Sequence, residues 1–173
     1  MTERSTAVET ITLRPARDAD WVLIARWLAQ PEIQRWWGNL ASAESEVRMA
    51  LETPSAIARV VMAGAEPIGY AHAIDASYWG SGLPDGMPPG TWDIDLFIAS
   101  PSHRGRGAGE HALALLVDEV FTTTLAPALS VFVSVRNEAA VRAYERSGFE
   151  WARVWDDPIV GPSWMMLRWR PAR

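Results

Sequence analysis

The sequence predicts one α/β domain, residues 1–173, in which a parallel pair of strands lies among antiparallel strands. A content of 49% hydrophobic and 21% charged residues is typical of a globular domain with a sizeable core. From residue 91 onward the predicted order is strand, helix, strand, helix, strand, strand. A strand–helix–strand step joins parallel neighbours, whereas strands that follow one another directly run antiparallel. We expect residues 1–10 to form a loose N-terminal segment.

The first third of the chain is predicted to contain one strand and three helices. Residues 11–14 alternate apolar and polar side chains, which favours a strand. Asp18 is the expected N-cap of the first helix. The apolar face of that helix is expected to comprise Val22, Leu23, Ala25, Trp27 and Leu28. Pro31 starts a short helix that ends near Gly38, and Ser42 is the expected cap of a helix over residues 43–52.

The rest of the chain is predicted to contain a hairpin, a long loop and the α/β run. Residues 56–62 and 67–74 are β-rich on either side of a turn, which predicts the hairpin. Residues 77–90 are dense in glycine and proline, and long loops of this kind often carry function. The later elements are strands over residues 91–99, 128–135, 149–155 and 163–169, and helices over residues 107–122 and 138–147.

The composition excludes several kinds of site and partner. The chain has no cysteine, which excludes disulfides, thiolate metal sites and a cysteine nucleophile. A net charge of −5 argues against a nucleic-acid partner and is compatible with a cationic small molecule. No apolar run approaches the roughly 18 residues of a membrane span, and the polar N-terminus lacks a secretory signal core, so we expect a cytoplasmic protein. The three histidines lack metal-ligand spacing, and we expect no metal.

The segment Arg104-Gly105-Arg106-Gly107-Ala108-Gly109 lies between a predicted strand and a predicted helix. Glycines let the backbone approach a ligand, and the start of a helix offers unpaired N–H groups and about half a positive charge. Two arginines add full charges, so a pyrophosphate is the expected ligand. The turn matches neither the dinucleotide pattern Gly-x-Gly-x-x-Gly nor the phosphate-loop pattern. Taken alone, it is equally compatible with a tight structural turn.

Two motifs together resemble the GCN5-related N-acetyltransferase (GNAT) superfamily. The first is Arg-x-x-Gly-x-Gly at Arg104, Gly107 and Gly109. The second comprises Asn137, Ala140, Tyr144, Gly148 and Phe149. The resemblance implies a mixed, mostly antiparallel sheet flanked by helices, with a parallel pair splayed around an acyl-CoA site. It implies acetyl-CoA as co-substrate, contacted by Phe97, Ile98, Arg104, Gly105, Arg106, Gly107, Ala108, Gly109, Asn137 and Tyr144.

Within that superfamily the chain is most similar to the aminoglycoside 6'-N-acetyltransferases, from about Leu13 to Met166. The likeness includes Trp36-Trp37-Gly38, residues 66–71 and the segment Ile94-Asp95-Leu96-Phe97. It implies that Asp95 lies in the substrate pocket. Two departures fall where such pockets bind substrate. Residues 131–135 carry no carboxylate, and Asp85 is the only acid of the loop over residues 77–90.

The expected chemistry is direct transfer of an acetyl group to an amine, because no cysteine is available to carry the group. Asp93 and Asp95 are two apart on a strand, so their carboxylates share one face and are expected to attract a cation or take its proton. Tyr144 is expected to protonate the departing thiolate, or only to pack on the sheet. Backbone N–H groups near Phe97 and Ile98 are the candidates for polarising the thioester, by the resemblance. Asn137 is expected to contact the cofactor, to cap its helix, or both.

The acceptor is predicted to be the 6'-amine of an aminoglycoside antibiotic, bound by Trp36, Asp85, Asp93 and Asp95. The Trp36 ring either lines this pocket or packs in the core. Two alternatives stay open. In the first alternative, the acceptor is a siderophore lysine, a polyamine or a protein amine. In the second, the chain is a CoA-binding module without turnover. The expected assembly is a monomer or a homodimer.

Overall fold

A computed structural model describes residues 9–80 and 83–172, so most of the predicted loose segment 1–10 lies outside the described residues. The chain forms a seven-stranded sheet in the order β1-β2-β3-β4-β5-β7-β6. The strands are β1 (Ile11–Pro15), β2 (Ile57–Ala63), β3 (Glu66–Asp75), β4 (Trp92–Ile98), β5 (Ala128–Ser134), β6 (Glu150–Asp157) and β7 (Gly161–Trp169). Five helices cover the sheet, namely α1 (Trp21–Leu28), α2 (Pro31–Trp37), α3 (Leu40–Glu52), α4 (Ala108–Thr123) and α5 (Glu138–Arg146).

The strand directions confirm the predicted mixed sheet. All neighbouring strands run antiparallel except β4 and β5, which α4 joins as a parallel pair. That parallel pairing is confined to Trp92 beside Leu129 and Asp93 beside Ser130. Beyond Asp93 the two strands separate, so the β5-facing edge of Ile94–Ile98 has no strand partner among the described residues. The sheet therefore opens at its centre, as the resemblance implies.

Two apolar clusters hold the helices on opposite faces of the sheet. On one face, α1, α2 and α3 bury residues such as Ile24, Leu28 and Val47 against β2, β3 and β4. On the other face, α4 and α5 bury residues such as Leu116 and Val141. Each buried large aliphatic side chain contributes about 1.5–3 kcal/mol of hydrophobic free energy. This packing holds the opening of the sheet between α2 and α3 on one side and α5 on the other.

Three local predictions in the first third of the chain are wrong. Asp18 belongs to a 3-10 turn, and α1 starts only at Trp21. The amide of Ser42 donates to the side chain of Asn39, which caps α3 instead and lengthens it by one turn. Val22 is 66% exposed, whereas Ile24 is fully buried, because α1 packs on the core through Ile24, Trp27 and Leu28. None of these differences moves a predicted site residue.

The loop over residues 77–90 starts with a 3-10 turn at Ala76–Trp79, and its residues 81 and 82 lie outside the described residues. At the end of the β3–β4 pairing far from this loop, Gly69 faces Ile98, and any Cβ at Gly69 would collide with the carbonyl of Phe97. A glycine is needed at this point because the two backbones approach so closely. Among the described helices, none has the length and apolarity to cross a membrane.

Candidate active site

Two cavities meet at the opening of the sheet. The first, the acidic cavity, has a volume of about 310 Å³ and is lined by carboxylates and aromatic rings. The second, the glycine-turn groove, has a volume of about 580 Å³ and runs from the end of β4 past the turn over residues 104–109 to α5. Trp36 and Trp37 line both cavities. A ligand in the groove and a ligand in the cavity would therefore meet beside β4.

Four carboxylates face the acidic cavity, from Glu46, Asp93, Asp95 and Asp157. Burial first, and then the charges of Asp93 and Asp157, raise the pKa of Glu46 to about 8. Burial also raises the pKa of Asp93 to about 7. The pKa of Asp95 lies well above its ordinary value because of burial first and then the charges of Glu46 and Asp93. A cationic ligand in the cavity would reduce the repulsion between these carboxylates.

Sequence reasoning missed Glu46 and Asp157. Glu46 lies on α3 and Asp157 ends β6, so the carboxylates come from elements far apart in the chain. The sequence around each residue looks like that of an ordinary solvent-exposed helix or strand end. The fold alone brings them to the predicted pair on β4.

Asp93 and Asp95 share one face of β4, as predicted, but their hydrogen bonds differ. Asp93 accepts from Ser130 Oγ at 2.8 Å and from Trp79 Nε1 at 3.0 Å, so both of its oxygens are occupied. Asp95 accepts from the amide of Leu96 at 2.8 Å through Oδ1 only. Its Oδ2 has no protein donor among the described residues. Asp95 is thus the member of the pair with an oxygen available to a ligand.

Aromatic side chains form the walls around these carboxylates, with Trp36, Trp37, Trp79, Phe132 and Trp155 lining the cavity. Trp36 is therefore in the place predicted for it. Flat rings beside carboxylates suit a ligand that combines ammonium groups with an apolar ring face. Phe132 lies in the stretch over residues 131–135 that carries no carboxylate.

His72 lies beneath the cavity and was given no role from the sequence. It pairs with Asp95 across β3 and β4, and its Nε2 is 3.6 Å from Glu46 Oε1. Burial lowers the pKa of His72 to about 4, so the ring is neutral. Among the described residues, neither ring nitrogen has a hydrogen-bond partner, and the same is true of the Tyr70 hydroxyl. A neutral imidazole can donate one hydrogen bond and accept another, so His72 has unused hydrogen-bonding capacity close to Glu46.

The turn over residues 104–109 has the geometry of an anion cradle. Gly105 and Gly107 adopt φ values of +68° and +84°, which L side chains rarely adopt, and Gly107 immediately precedes α4. A Cβ added at Gly105 or Gly107 would meet nothing within 4 Å, and one at Gly109 would meet only the Ile98 and Leu96 side chains, at 3.7 and 3.9 Å. Unpaired N–H groups and the helix dipole favour a phosphate at this point.

Arg104 acts differently from its predicted role as a free positive charge. Its Nε donates to the carbonyl of Ile98 at 2.8 Å, and its Nη2 donates to the carbonyl of Ala99 and to Gln30 Oε1. The guanidinium therefore fastens the turn to the end of β4 and to α2. Arg104 still lines the groove, but its main effect is on the shape of the turn. Arg106 is exposed beside it, and Ala108 is buried in the start of α4.

The second motif forms the opposite wall of the groove. Asn137 Oδ1 accepts from the amide of Ala140 at 3.3 Å, which confirms the capping role, and the residue also lines the groove. Tyr144 lines the groove while its ring packs edge-on against Phe149 at 5.5 Å. Burial, followed by the charges of Asp95 and Asp93, raises the pKa of Tyr144 well above its ordinary value. Its phenol is therefore protonated and available as a hydrogen-bond donor.

Phe97 and Ile98 line the glycine-turn groove on the same strand whose Asp95 lines the acidic cavity. The register between β3 and β4 is continuous from Gly69 to Asp75, so no bulge is present within this pairing. The separation of β4 from β5 exposes this edge instead. One carbonyl here, that of Ile98, is occupied by Arg104.

Asp85 is not brought together with the other predicted site residues. Its side chain is exposed, and its carboxylate is 4.0 Å from Arg153. Its neighbours Leu83 and Pro84 line the acidic cavity in its place. Among residues 9–80 and 83–172, no group of three or more potential metal ligands is present.

Residues 16–156 match the family model described as an acetyltransferase (GNAT) domain. The chain belongs to the GNAT acetyltransferases. Aminoglycoside N(6')-acetyltransferases type 1 of Klebsiella pneumoniae and Serratia marcescens are each 30% identical over 172 residues, covering 95% of this chain and 85% of theirs. A solved structure of the aminoglycoside acetyltransferase AAC(6')-Ib with coenzyme A and kanamycin superposes with a TM-score of 0.79 at 30% identity, covering 93% of this chain and 95% of that one.

A spermidine N-acetyltransferase from Vibrio cholerae, solved with CoA and spermine, superposes with a TM-score of 0.71 at 19% identity, covering 92% and 95% of the two chains. At this identity the likeness shows the GNAT fold alone. The family assignment confirms the sequence resemblance and the predicted fold.

Proposed function

We propose that this protein transfers the acetyl group of acetyl-CoA to the 6'-amine of an aminoglycoside by direct attack in a ternary complex. The observation that carries the proposal is the meeting of the glycine-turn groove with a cavity lined by four carboxylates. Relatives of 30% identity that span most of the chain are aminoglycoside N(6')-acetyltransferases. The whole of residues 1–173 is proposed to act as one domain in the cytoplasm, where acetyl-CoA is present.

The cofactor is proposed to bind with its pyrophosphate on the turn at Gly105–Gly109 and its thioester beside Phe97 and Ile98. Positive φ at two glycines and the start of α4 support the pyrophosphate position. The unpaired edge of β4 supports the position of the arm, because amide groups there are free of β5. The N–H groups near Phe97 and Ile98 are proposed to polarise the thioester carbonyl.

The aminoglycoside is proposed to occupy the acidic cavity. Its ammonium groups would pair with Glu46, Asp95 and Asp157, and its sugar rings would lie against the tryptophan walls. Bringing a cation among these partly buried carboxylates lowers the cost of ionising them. A polycation with rings therefore suits the cavity better than a single amine.

The proposed reaction begins when Asp95 Oδ2 takes a proton from the 6'-ammonium, leaving a neutral amine. The raised pKa of Asp95 makes it a stronger base than an ordinary carboxylate. The nitrogen lone pair then attacks the thioester carbon, the carbon–sulfur bond breaks, and the sulfur leaves as a thiolate. The second proton on the nitrogen passes to this thiolate, which leaves the neutral amide and the free CoA thiol. Tyr144 stabilises this thiolate by hydrogen bonding, since a phenol of raised pKa donates a hydrogen bond more readily than a proton.

The test is acetyl-CoA turnover, followed by thiol release, with kanamycin, tobramycin, spermidine and lysine as acceptors. We expect rapid release with the aminoglycosides and a product acetylated at the 6'-amine by NMR. Turnover with spermidine or lysine alone would contradict the acceptor and retain the chemistry. Binding of CoA with no turnover on any acceptor would contradict the enzymatic function.

A further inference from the structure

A shallow pocket lies outside the outer end of the glycine-turn groove and has no role in the chemistry above. We call it the outer pocket, and it lies between the start of α4, the end of α5 and β7. Gly107, Glu110 and Arg146 line both the groove and the outer pocket, so the two are continuous. The remaining wall includes Ser147, Gly148 and Arg168.

Two arginines from different elements face this pocket. Arg146, at the end of α5, donates through Nε to Glu110 at 3.3 Å and through Nη2 to the same carboxylate. Arg168, on β7, donates through Nη1 to the carbonyl of Ser147 at 2.6 Å. Gly148 adopts φ of +81° and carries no side chain over Arg168, whose Nε lies 3.7 Å from where a Cβ would stand. The edge of the Arg168 guanidinium therefore stays open to the pocket.

The pairing of Arg146 with Glu110 is well placed to change partner. Glu110 lies in the first turn of α4, beside the proposed pyrophosphate position. The side chains of Arg146 and Glu110 are 56% and 40% exposed. Exposed ion pairs contribute little to stability, and a phosphate dianion is a stronger partner for a guanidinium than a carboxylate is.

The order of groups along the groove identifies the ligand. Leu96 and Tyr144 line the end of the groove proposed for the thioester, and Gly107 lines the end proposed for the pyrophosphate. In CoA, the ribose 3'-phosphate follows beyond the pyrophosphate, on the side away from the thioester. We propose that the outer pocket binds this 3'-phosphate, with Arg146 exchanging Glu110 for the phosphate and Arg168 forming the second cationic wall. The proposal rests on the proposed function only for the identity of the cofactor.

The test compares equilibrium binding of CoA and dephospho-CoA, which lacks only the 3'-phosphate, by calorimetry with no acceptor present. We expect the unmodified protein to prefer CoA by about tenfold, as one charge-assisted phosphate contact supplies. Arg146→Gln should lose most of this preference while binding dephospho-CoA within about twofold of the unmodified protein. Arg142→Gln is the matched control, since Arg142 lies one turn earlier on α5, pairs with Glu138 and lines neither cavity.

A second variant tests the exchange of partners. Glu110→Gln removes the competitor of the phosphate and should tighten CoA binding more than dephospho-CoA binding. Equal affinity of the unmodified protein for the two ligands would overturn the proposal. So would equal weakening of both ligands by Arg146→Gln, or the same loss of preference in Arg142→Gln. Because no acceptor is used, an incorrect acceptor assignment leaves these outcomes unchanged, whereas failure to bind either ligand would contradict the proposed function itself.

Discussion

Asp93 and Asp95 lie two residues apart on one face of β4, yet only Asp93 has both carboxylate oxygens occupied by protein donors. Asp93 joins Trp79 of the long loop to Ser130 of β5, whereas Asp95 keeps Oδ2 for a ligand. Two aspartates that are equivalent in the sequence pattern therefore have different roles. Asp93 is a positioning residue for the cavity wall, and Asp95 is the proposed base.

Asp95→Asn is expected to lower kcat/KM for the aminoglycoside by more than about tenfold, because an amide cannot take the proton of the ammonium. Steady-state kinetics with kanamycin measure this effect, and CoA affinity should be unchanged, since Asp95 does not line the glycine-turn groove. Kinetics equal to those of the unmodified protein would exclude Asp95 as the base.

Asp93→Asn is expected to lower stability and raise KM for the acceptor while changing kcat less than Asp95→Asn does. The asparagine side chain cannot accept from both Trp79 and Ser130, so one buried donor loses its partner at a cost of about 1–3 kcal/mol. Thermal unfolding and kinetics measure the two effects. Trp79→Phe removes the same hydrogen bond from the loop side and should reproduce the rise in KM. A fall confined to kcat in both variants would contradict the positioning role.

Tyr144→Phe is expected to lower kcat by about tenfold or more, because the departing thiolate loses its hydrogen-bond donor. KM for acetyl-CoA should change little, since the ring packing against Phe149 is retained. Single-turnover thiol release at saturating acetyl-CoA measures the step directly. Phe149→Leu alters the same packing without removing the hydroxyl and serves as the control. An unchanged rate in Tyr144→Phe would leave Tyr144 only a packing role.

The free protein is expected to lose stability as pH rises from 6.5 to 8.5. Burial raises the pKa of Asp93 to about 7 and of Glu46 to about 8, both above their unfolded values. Such groups stabilise the fold fully below their unfolded pKa, and this contribution is lost as pH rises through the folded pKa. His72, whose pKa burial lowers to about 4, acts in the opposite sense only below this window.

Thermal unfolding at constant ionic strength measures this dependence. Glu46→Gln removes one of the two raised groups, so its Tm should fall less between pH 6.5 and 8.5 than that of the unmodified protein. An equal fall of Tm with pH in the two proteins would contradict the assignment of Glu46 as a group whose ionisation in the cavity destabilises the fold.

Much of this architecture could be predicted because its signals are local. The turn over residues 104–109 and the segment over residues 137–149 each carry their chemistry within a short stretch. The place of Asp95 follows from the family resemblance and from its spacing to Asp93 on a strand, and the strand directions follow from the order of elements. The wrong cap at Ser42 arises because Asn39, three residues earlier, accepts from the Ser42 amide and caps the helix. The wrong cap at Asp18 arises because Asp18–Asp20 form a 3-10 turn, in which Asp20 accepts from the amide of Arg17.

The remaining site could not be predicted, because it depends on contacts between distant segments. Glu46 and Asp157 join the cavity only when α3 and the end of β6 pack near β4. Arg104 holds the turn in place by donating hydrogen bonds to oxygens of Ile98, Ala99 and Gln30. The spacing of residues in the sequence does not indicate these contacts. Asp85 is excluded from the cavity because the loop turns its exposed side chain toward Arg153.

The two-pair seam between β4 and β5 divides the seven strands into a block of four and a block of three. The glycine-turn groove follows that seam, with β4 on the first block and α5 carried by the second. A cofactor in the groove therefore supplies contacts between the two blocks where β4 and β5 form no hydrogen-bonded ladder. Part of the free energy of cofactor binding therefore stabilises the contact between the two blocks. Hydrogen exchange of the amides along Ile94–Ile98 should slow when CoA binds.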